Sequence, residues 1–253
     1  FVVKPVCCAG TVAAVWSRMM VDVADQMVAA IAGHEVYWAG QLLSSDEWAE
    51  LKQIIFHNFL QRIERLAPHH VDAFAAVGLE NYHRESWRID HGSSWPQRER
   101  LLNSEGVAFI ERTSLFQRLK AVFGDAEITN ETGGDGPEVT WRLVRPGELS
   151  DIGRLHADEW FWQANGWRPP AGKRRIKIWT MVSCALGDTA LRVVPASHRT
   201  TWEFGIERRH GIFKPVFDEA RAGVVPIALC TPPGTSVVFS YYLLHGGKPP
   251  SGN

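Results

Sequence analysis

The chain contains few cysteines, and none of them is spaced as in a metal or redox motif. Only four of the 253 residues are cysteine: Cys7, Cys8, Cys184 and Cys230. None forms a C-x-x-C pair, and the vicinal pair Cys7-Cys8 is of a kind that rarely forms a disulfide. A disulfide framework is therefore not expected, which favours the reducing environment of the cytoplasm.

Excess charge and long apolar runs are also absent. The 27 Lys and Arg residues nearly balance the 28 Asp and Glu residues and leave a net charge of -1, so we expect no nucleic-acid partner. The apolar stretch 11–32 is interrupted by Arg18, Asp22 and Asp25, so it predicts neither a membrane span nor a signal peptide. The first residue is Phe1 rather than Met, which allows for residues missing at that end.

The first half of the chain has the pattern of helices. Ser44 and Glu47 have the spacing of a capping box, and Pro68 predicts the end of the helix that follows. The apolar residues between them recur near helical spacing: Trp48, Leu51, Ile55, Phe59 and Leu66. A second helix is predicted over 113–123, ended by Gly124. The polar segment 87–102 is read either as a surface connection, which we favour, or as a loop over a pocket.

The pattern changes after Glu138. Residues 139–145 alternate like a strand and end at the turn dipeptide Pro146-Gly147. Further short strand-like runs follow at close spacing. Many short strands separated by turns are typical of a jelly roll, in which two antiparallel sheets face each other.

One tripeptide in this half has the spacing of a metal motif. His156 and Asp158 are two residues apart, so on a strand both side chains would point to the same side of the sheet. A distant histidine would complete two imidazoles and a carboxylate on one face of a metal, a set typical of non-haem Fe(II) oxygenases. His245, at the end of a strand-like run, is favoured for this role over His198. The alternative for an isolated H-x-D is a surface turn or a helix cap.

The order of the segments around these residues carries a family resemblance. The H-x-D is followed by the strand-like run 177–182 with Trp179, by Leu-Arg-Val-Val-Pro-Ala-Ser-His at 191–198, and by a strand leading into His245-Gly-Gly. Over residues 139–253 the chain resembles the phytanoyl-CoA dioxygenase-like (PhyH) family of Fe(II)/2-oxoglutarate oxygenases. One departure is Ala196, which stands where the family usually has glycine.

The resemblance implies the fold class and the metal chemistry. It implies a mostly β protein with flanking helices (α+β) and a double-stranded β-helix, the cupin-like jelly roll, as its core. We expect one catalytic domain over 1–253, with a mainly helical flanking region at 1–135 and the core at 136–253. Fe(II) would be held by His156, Asp158 and His245, with 2-oxoglutarate as co-substrate and O2 as oxidant. Related halogenases lack the carboxylate, so Asp158 favours hydroxylation or a related oxidation.

The resemblance also suggests residues for the co-substrate. Trp179 and Thr180 match the family's strand that lines the cofactor pocket. The family anchors the distal carboxylate of 2-oxoglutarate with an arginine about ten residues past the distal histidine, because a guanidinium binds carboxylate with two hydrogen bonds. That arginine is expected beyond Asn253. Arg142 and Arg145 precede the H-x-D and either reach an anionic group or form surface salt bridges.

The substrate is less well indicated. Trp160 and Trp162 directly follow the metal motif and are candidates for pocket walls, with core packing as the alternative. The basic runs 173–175 and 208–210 are read either as solvated loops or as receptors for an acidic small molecule. The sequence thus predicts a dioxygenase that oxidises a C–H bond of a small metabolite, acidic if the basic runs face the site. The alternatives are an iron oxygenase that does not use 2-oxoglutarate and a non-catalytic jelly-roll binding protein; the oligomeric state is not indicated.

Overall fold

The computed structural model describes residues 23, 25–32, 36–130, 136–168, 172–184, 191–209, 211–229 and 231–248. Before residue 130 these are mainly helical. The helices there are α1 (residues 25–32), α2 (Ser45–Leu66), α3 (Val71–Val77), α4 (His91–Ser94), α5 (Ser104–Arg112) and α6 (Ser114–Phe123). Short 3-10 turns connect them at Pro68–His70, Leu79–Arg84, Ser86–Arg88 and Gln97–Arg100.

The long helix α2 begins and ends where the sequence predicts. The Ser44 hydroxyl accepts a hydrogen bond from the Glu47 amide at 3.2 Å, and the Glu47 carboxylate accepts one from the Ser44 amide at 2.7 Å. This reciprocal pair is the predicted capping box. The helix ends at Leu66, two residues before Pro68, because proline cannot supply the amide that a continuing helix needs.

The buried face of α2 follows strict four-residue spacing. Its members are Leu51, Ile55, Phe59 and Ile63. Leu66, which we expected on this face, is 41% exposed, and Ile63 holds the inward position instead. The predicted helix ending before Gly124 is confirmed as α6, and Thr113 caps it by accepting from the Phe116 amide.

The segment 87–102 is more than a surface connection. It contains α4 and short 3-10 turns, and the Trp95 side chain is only 5% exposed within the helical core. The segment therefore contributes to the core on which the sheet packs.

Two antiparallel three-stranded sheets make up the second layer. Their orders are β1-β7-β2 and β6-β3-β8, and β4 and β5 form a separate hairpin. The strands are β1 (Tyr37–Gln41), β2 (Ile176–Thr180), β3 (Leu191–Val193), β4 (Gly205–Arg209), β5 (Ile212–Val216), β6 (Ile227–Leu229), β7 (Thr235–Ser240) and β8 (His245–Gly247). Two helices complete this half, α7 (Asp158–Ala164) and α8 (Glu219–Ala222). The jelly-roll core with flanking helices is the predicted fold.

The central strand β7 explains how the layers are stacked. Val237 and Phe239 point into a cluster that includes Leu191 and Val193 of β3, so this face packs against the other sheet. Val238 lies between them in sequence and belongs to the cluster formed by the helices. Because strand side chains alternate between faces, β7 is apolar on both sides and is buried between helices and sheet.

The strand predicted over 139–145 is wrong beyond one residue. Only Thr140 pairs, in an isolated bridge with Leu101, and the flanking hydrogen bonds link Leu102 to Val139 and Trp141 to Arg100. The partner segment is too short for a ladder, because the chain turns at Asn103 to begin α5. Conversely, β1 lies in the region 1–135, which we expected to be mainly helical, and all five of its residues pair with β7. The sequence did not indicate this pairing.

Candidate metal centre

The two candidate histidine ligands are joined through their backbones. The His156 amide donates to the His245 carbonyl at 2.9 Å, and the His245 amide donates to the His156 carbonyl at 2.8 Å. This isolated antiparallel bridge extends the sheet β6-β3-β8 by one residue beside β8. The bridge brings together His156 and His245, which are 89 positions apart in the sequence. Their ring centroids lie 4.6 Å apart.

Asp158 reaches the same place by a different route from the predicted one. It is the first residue of α7, so the expected strand alternation between His156 and Asp158 is wrong. The chain leaves extended geometry after Ala157 and turns into the helix. Asp158 Oδ1 nevertheless lies 3.6 Å from His156 Nε2 and 3.7 Å from His245 Nε2. One ligand atom from each residue falls within 4.8 Å of the others.

Backbone carbonyls orient both imidazoles. His156 Nδ1 lies 2.7 Å from the Arg154 carbonyl oxygen, and His245 Nδ1 lies 3.0 Å from the Leu243 carbonyl oxygen. A carbonyl can only accept, so each Nδ1 carries the hydrogen and donates it. In the neutral ring the lone pair is then on Nε2, which faces Asp158. This is the arrangement that metal-binding histidines commonly have.

Electrostatics keeps His245 and Asp158 in their ligand forms. Burial lowers the pKa of His245 to about 4, so the imidazole is neutral at neutral pH. Burial opposes ionisation of Asp158, but Lys177 and the two histidines overcome it and hold the pKa of this carboxyl well below its usual range. Lys177 Nζ lies 3.6 Å from Asp158 Oδ2. Lys177 was not recognisable from the sequence as part of the site, although it stands two residues before Trp179 on the same strand.

The donor set fits a divalent metal that takes nitrogen and oxygen ligands. Asp158 is 4% exposed, and its Oδ2 has no hydrogen-bond partner among the described residues. Lys177 is the neighbouring cation, but at 3.6 Å it does not hydrogen-bond to this oxygen, so the carboxylate keeps the capacity to bind a metal. Two imidazoles and one carboxylate on one side of a metal leave its remaining positions open, as in non-haem iron oxygenases. His156, Asp158 and His245 could therefore hold iron.

A partly buried ion pair ties together the segments that carry the histidines. Glu219 accepts from both terminal nitrogens of Arg192, at 3.1 and 3.2 Å, and from the Leu155 amide at 3.3 Å. Arg192 Nε donates to the Gly247 carbonyl at 2.7 Å. Leu155 precedes His156 and Gly247 follows His245 by two residues, so the pair holds both segments. No local pattern in the sequence indicates this pair, because Arg192 and Glu219 lie 27 positions apart.

The turn that contains His198 supports the approach to His245. Ser197 Oγ accepts from the Leu244 amide at 2.8 Å, and the Val194 amide donates to the Leu244 carbonyl. His198 itself lies in a 3-10 turn and is not part of the ligand group. Ala196, at the position where the resembled family has glycine, adopts a left-handed conformation with φ of 61°.

The residues expected to bind the co-substrate and the metal ligands line one extended cleft, which also runs along the helices of the first half of the chain. Trp179 and Thr180 are on β2, and the Thr180 hydroxyl lies 2.9 Å from the Ser236 hydroxyl. Arg142 is not on a strand, but its Nη1 lies close to Gly153: a Cβ placed there would be 3.3 Å from Nη1 and 3.8 Å from His156 Cε1. Arg142 is therefore beside the ligand group.

Arg145, the other arginine before the H-x-D, is engaged elsewhere. Its guanidinium makes two hydrogen bonds to the buried carboxylate of Asp151, at 2.8 and 2.9 Å. His91 also contacts Asp151, at 3.3 Å. Arg145 thus anchors the segment before His156 to the helical layer, and the salt-bridge interpretation is the right one for this residue.

The two tryptophans after the motif have different surroundings. Trp160 stacks on Phe204 with ring centroids 4.6 Å apart and packs against Phe217, so it belongs to an apolar cluster and not to the cleft wall. Trp162 lies one turn after Asp158 on α7 and lines the cleft. Because residues four apart share a helix face, Trp162 faces the same way as Asp158.

The basic runs also divide. Residues 173–175 line the cleft. Arg208, on β4, lies over the ring of Phe213 on the neighbouring strand, with its guanidinium 5.9 Å from the ring centroid. His210 lies outside the described residues, as do Cys7, Cys8, Cys230 and the residues after Lys248.

None of the helices in the described part of the chain has the length and apolarity needed to cross a bilayer.

Comparison with known proteins agrees with the geometry. A crystal structure of EctD from S. alaskensis with 2-oxoglutarate and 5-hydroxyectoine superposes with a TM-score of 0.51 at 17% identity, over 90% of this chain and 71% of that one. No curated protein matches. The model of the phytanoyl-CoA dioxygenase (PhyH) family matches residues 90–252, which include all three candidate ligands. The chain belongs to the phytanoyl-CoA dioxygenase (PhyH) family.

Proposed function

We propose that the protein is a dioxygenase that uses Fe(II) and 2-oxoglutarate to hydroxylate an unactivated C–H bond of a small molecule. The family uses Fe(II), 2-oxoglutarate and O2. The observation that carries the proposal is the convergence of His156, Asp158 and His245, whose ligand atoms lie within 4.8 Å of one another. Two of the three are buried, as a site that must exclude bulk water requires.

The three side chains would hold the iron from one side. Bound iron, together with 2-oxoglutarate and O2, supplies the oxidising chemistry. The protein's contribution is to fix the ligands before binding, through the His156–His245 bridge and the two carbonyl-oriented rings. Asp158 supplies the anionic ligand, and its presence favours hydroxylation over halogenation.

Three cleft residues are proposed to receive the co-substrate. Arg142 supplies a cation beside His156 for a carboxylate, and the Thr180 hydroxyl, already beside Ser236, can donate to an oxygen. Trp179 packs into the cluster between the sheets and gives this wall a rigid apolar surface. The arrangement suits a ligand with a carboxylate and an apolar stretch beside it.

The proposal is tested by iron content and by succinate production. Protein reconstituted with Fe(II) should bind about one iron per chain and convert 2-oxoglutarate to succinate in air, slowly even without the natural substrate. Asp158→Ala should lose both properties, whereas Asp72→Ala, on the exposed side of α3, should keep them. Iron binding without succinate would indicate an oxygenase of another kind. A wild-type protein that binds no metal would contradict the proposal and favour a non-catalytic binding role.

A further inference from the structure

Trp162 carries a buried hydrogen-bond donor that the metal site does not use. The side chain is 7% exposed, and its Nε1 has no acceptor among the described residues. An indole nitrogen is a donor only, so nothing but an acceptor oxygen or a similar group can satisfy it. A buried donor without a partner costs on the order of 1–3 kcal/mol, and such groups in native proteins call for an explanation.

The position of Trp162 relates this donor to the metal ligands. Asp158 and Trp162 are four residues apart on α7, so they share a face, and their Cα atoms are separated by about 6 Å along the helix axis. Both line the same cleft. The helix is held in place at both ends: the Glu159 amide donates to the Tyr241 carbonyl, and the Asn165 side chain bonds both backbone groups of Phe213.

The β2 side of the cleft carries two cations, one beside Asp158 and one beside Trp162. Lys177 Nζ lies 3.6 Å from Asp158 Oδ2, and the Arg175 guanidinium carbon lies 4.0 Å from the centre of the Trp162 ring. Arg175 directly precedes β2 and Lys177 is its second residue, whereas Asp158 and Trp162 are one turn apart on α7. A cation from the β2 side therefore contacts α7 at two successive positions. Lys177 contacts Asp158, and Arg175 contacts Trp162 one helical turn further along.

We propose that the Trp162 indole N–H and the Arg175 guanidinium form a carboxylate-binding subsite one helical turn from the metal ligands. This inference rests on the proposed function, because the distance from the subsite to the metal matters only if oxidation takes place at the metal. A carboxylate has two oxygens, so it can accept from the indole and from a guanidinium nitrogen together. Arg174 and Lys173 continue the basic run along the same cleft and add to its positive potential.

Two ligands offer this chemistry. One is the distal carboxylate of 2-oxoglutarate, which lies on the order of one helical turn from its keto-acid end. The other is a carboxylate of the oxidised substrate, whose reacting carbon would then be about three to four bonds from the acid group, within the same turn of the helix. In both cases the subsite selects a carboxylate and fixes its distance from the metal.

Binding to protein loaded with Mn²⁺ separates the two sources without turnover. Trp162→Phe keeps a ring under Arg175 but removes the N–H, and Arg175→Gln removes the cation. The probes are 2-oxoglutarate and 2-oxobutanoate, which has the same keto-acid end and no distal carboxylate, titrated by calorimetry. If the subsite holds the co-substrate, both variants should raise the Kd of 2-oxoglutarate about tenfold, equal to 1.4 kcal/mol, and leave 2-oxobutanoate unchanged.

If the subsite holds the substrate, 2-oxoglutarate binding stays unchanged and a second titration shows the effect. Wild-type protein saturated with 2-oxoglutarate should then bind hexanoate more tightly than hexanamide, and both variants should lose that preference. Trp87→Phe is the matched control, because Trp87 is 73% exposed and lies under Arg88 at 4.4 Å. The proposal is overturned if both variants bind every probe as the wild type does.

The metal is followed separately. Mn²⁺ affinity should be the same in Trp162→Phe and wild type, since the indole is not a ligand. If wild-type protein binds no Mn²⁺, the proposed function fails. The subsite is then judged from the hexanoate and hexanamide titrations without metal.

Discussion

Lys177 and Asp158 form an ion pair at the candidate metal site, with Nζ 3.6 Å from Oδ2. The lysine comes from β2 and the carboxylate from α7, so the pair joins the sheet to the helix that carries a ligand. A metal bound to Asp158 would share this carboxylate with the ammonium group. Two cations that share one anion compete, and the strength of metal binding therefore depends on Lys177.

Lys177→Met should strengthen metal binding and weaken the protein without metal. Removing the ammonium group removes its repulsion of the metal, so we expect the Kd for Mn²⁺ to fall about tenfold. Without metal, Asp158 loses its nearest cation, and the free energy of unfolding should decrease by about 1–3 kcal/mol. Mn²⁺ titration and urea unfolding in EDTA measure the two effects. Lys120→Met, which removes an exposed lysine of α6 away from the cleft, is the control and should leave the Mn²⁺ affinity unchanged.

Stability without metal should fall between pH 6.5 and pH 4. In the unfolded chain a histidine takes up a proton near pH 6.5, whereas burial lowers the pKa of His245 in the folded protein to about 4. Within that window the unfolded state binds more protons, so acidification favours unfolding, by up to about 3 kcal/mol for this residue. Burial lowers the pKa of His91 as well, which adds in the same direction.

Urea unfolding in EDTA across this pH range measures the slope. His245→Gln should show a distinctly shallower dependence than wild type, and His57→Gln, on the exposed side of α2, should keep the wild-type slope. Equal slopes for His245→Gln and wild type would contradict the lowered pKa, because they would show that this histidine takes up its proton at the same pH in the folded and unfolded states.

Glu219→Gln should weaken metal binding although Glu219 is not a ligand. The substitution removes the charge that holds Arg192, which in turn bonds the Gly247 carbonyl. Residues that orient metal ligands typically contribute 10- to 100-fold in affinity, and we expect about the lower value here, because Glu219 acts through the backbone. Glu203→Gln, in an exposed pair with Arg221, is the matched control. A wild-type Mn²⁺ affinity in Glu219→Gln would remove this positioning role.

Ala196→Gly should stabilise the protein. A left-handed residue with a Cβ carries a cost of about 1–2 kcal/mol, which glycine avoids, while the greater freedom of glycine in the unfolded chain returns part of it. We expect a net gain of roughly 1 kcal/mol in urea unfolding. Ala75→Gly, in the interior of α3, should instead lose about as much. A loss of stability in Ala196→Gly would mean that the alanine methyl packs more favourably than the strain costs.

Local signals in the sequence predicted the elements that depend on neighbours in the chain. The α2 capping box and the end of α6 at Gly124 are such cases, since each needs only residues within one turn. The jelly-roll core was recognised through the order of several segments, and the family match confirms that resemblance. In the site, the H-x-D tripeptide together with the family resemblance named the three residues that the fold brings together.

What the sequence did not predict depends on distant partners. The run 139–145 alternates like a strand, but a strand also needs a neighbour of matching length, and within the described part of the chain this run forms a single bridge, between Thr140 and Leu101. The same applies to Lys177 and Glu219, which matter only because other elements place Asp158 and Arg192 beside them. The sequence does not distinguish Trp160 from Trp162. Their positions on α7 direct Trp160 into the apolar core and Trp162 towards the cleft.

The backbone bridge between His156 and His245 affects how the site responds to metal exchange. Each residue gives and accepts one main-chain hydrogen bond, so the two Cα atoms are held as a hydrogen-bonded antiparallel pair about 5.5 Å apart. Loading or removing a metal then needs little more than small rotations of two imidazoles. The entropic cost of bringing the two histidines together is met during folding. The site is therefore preorganised, and metal binding does not have to order these two segments.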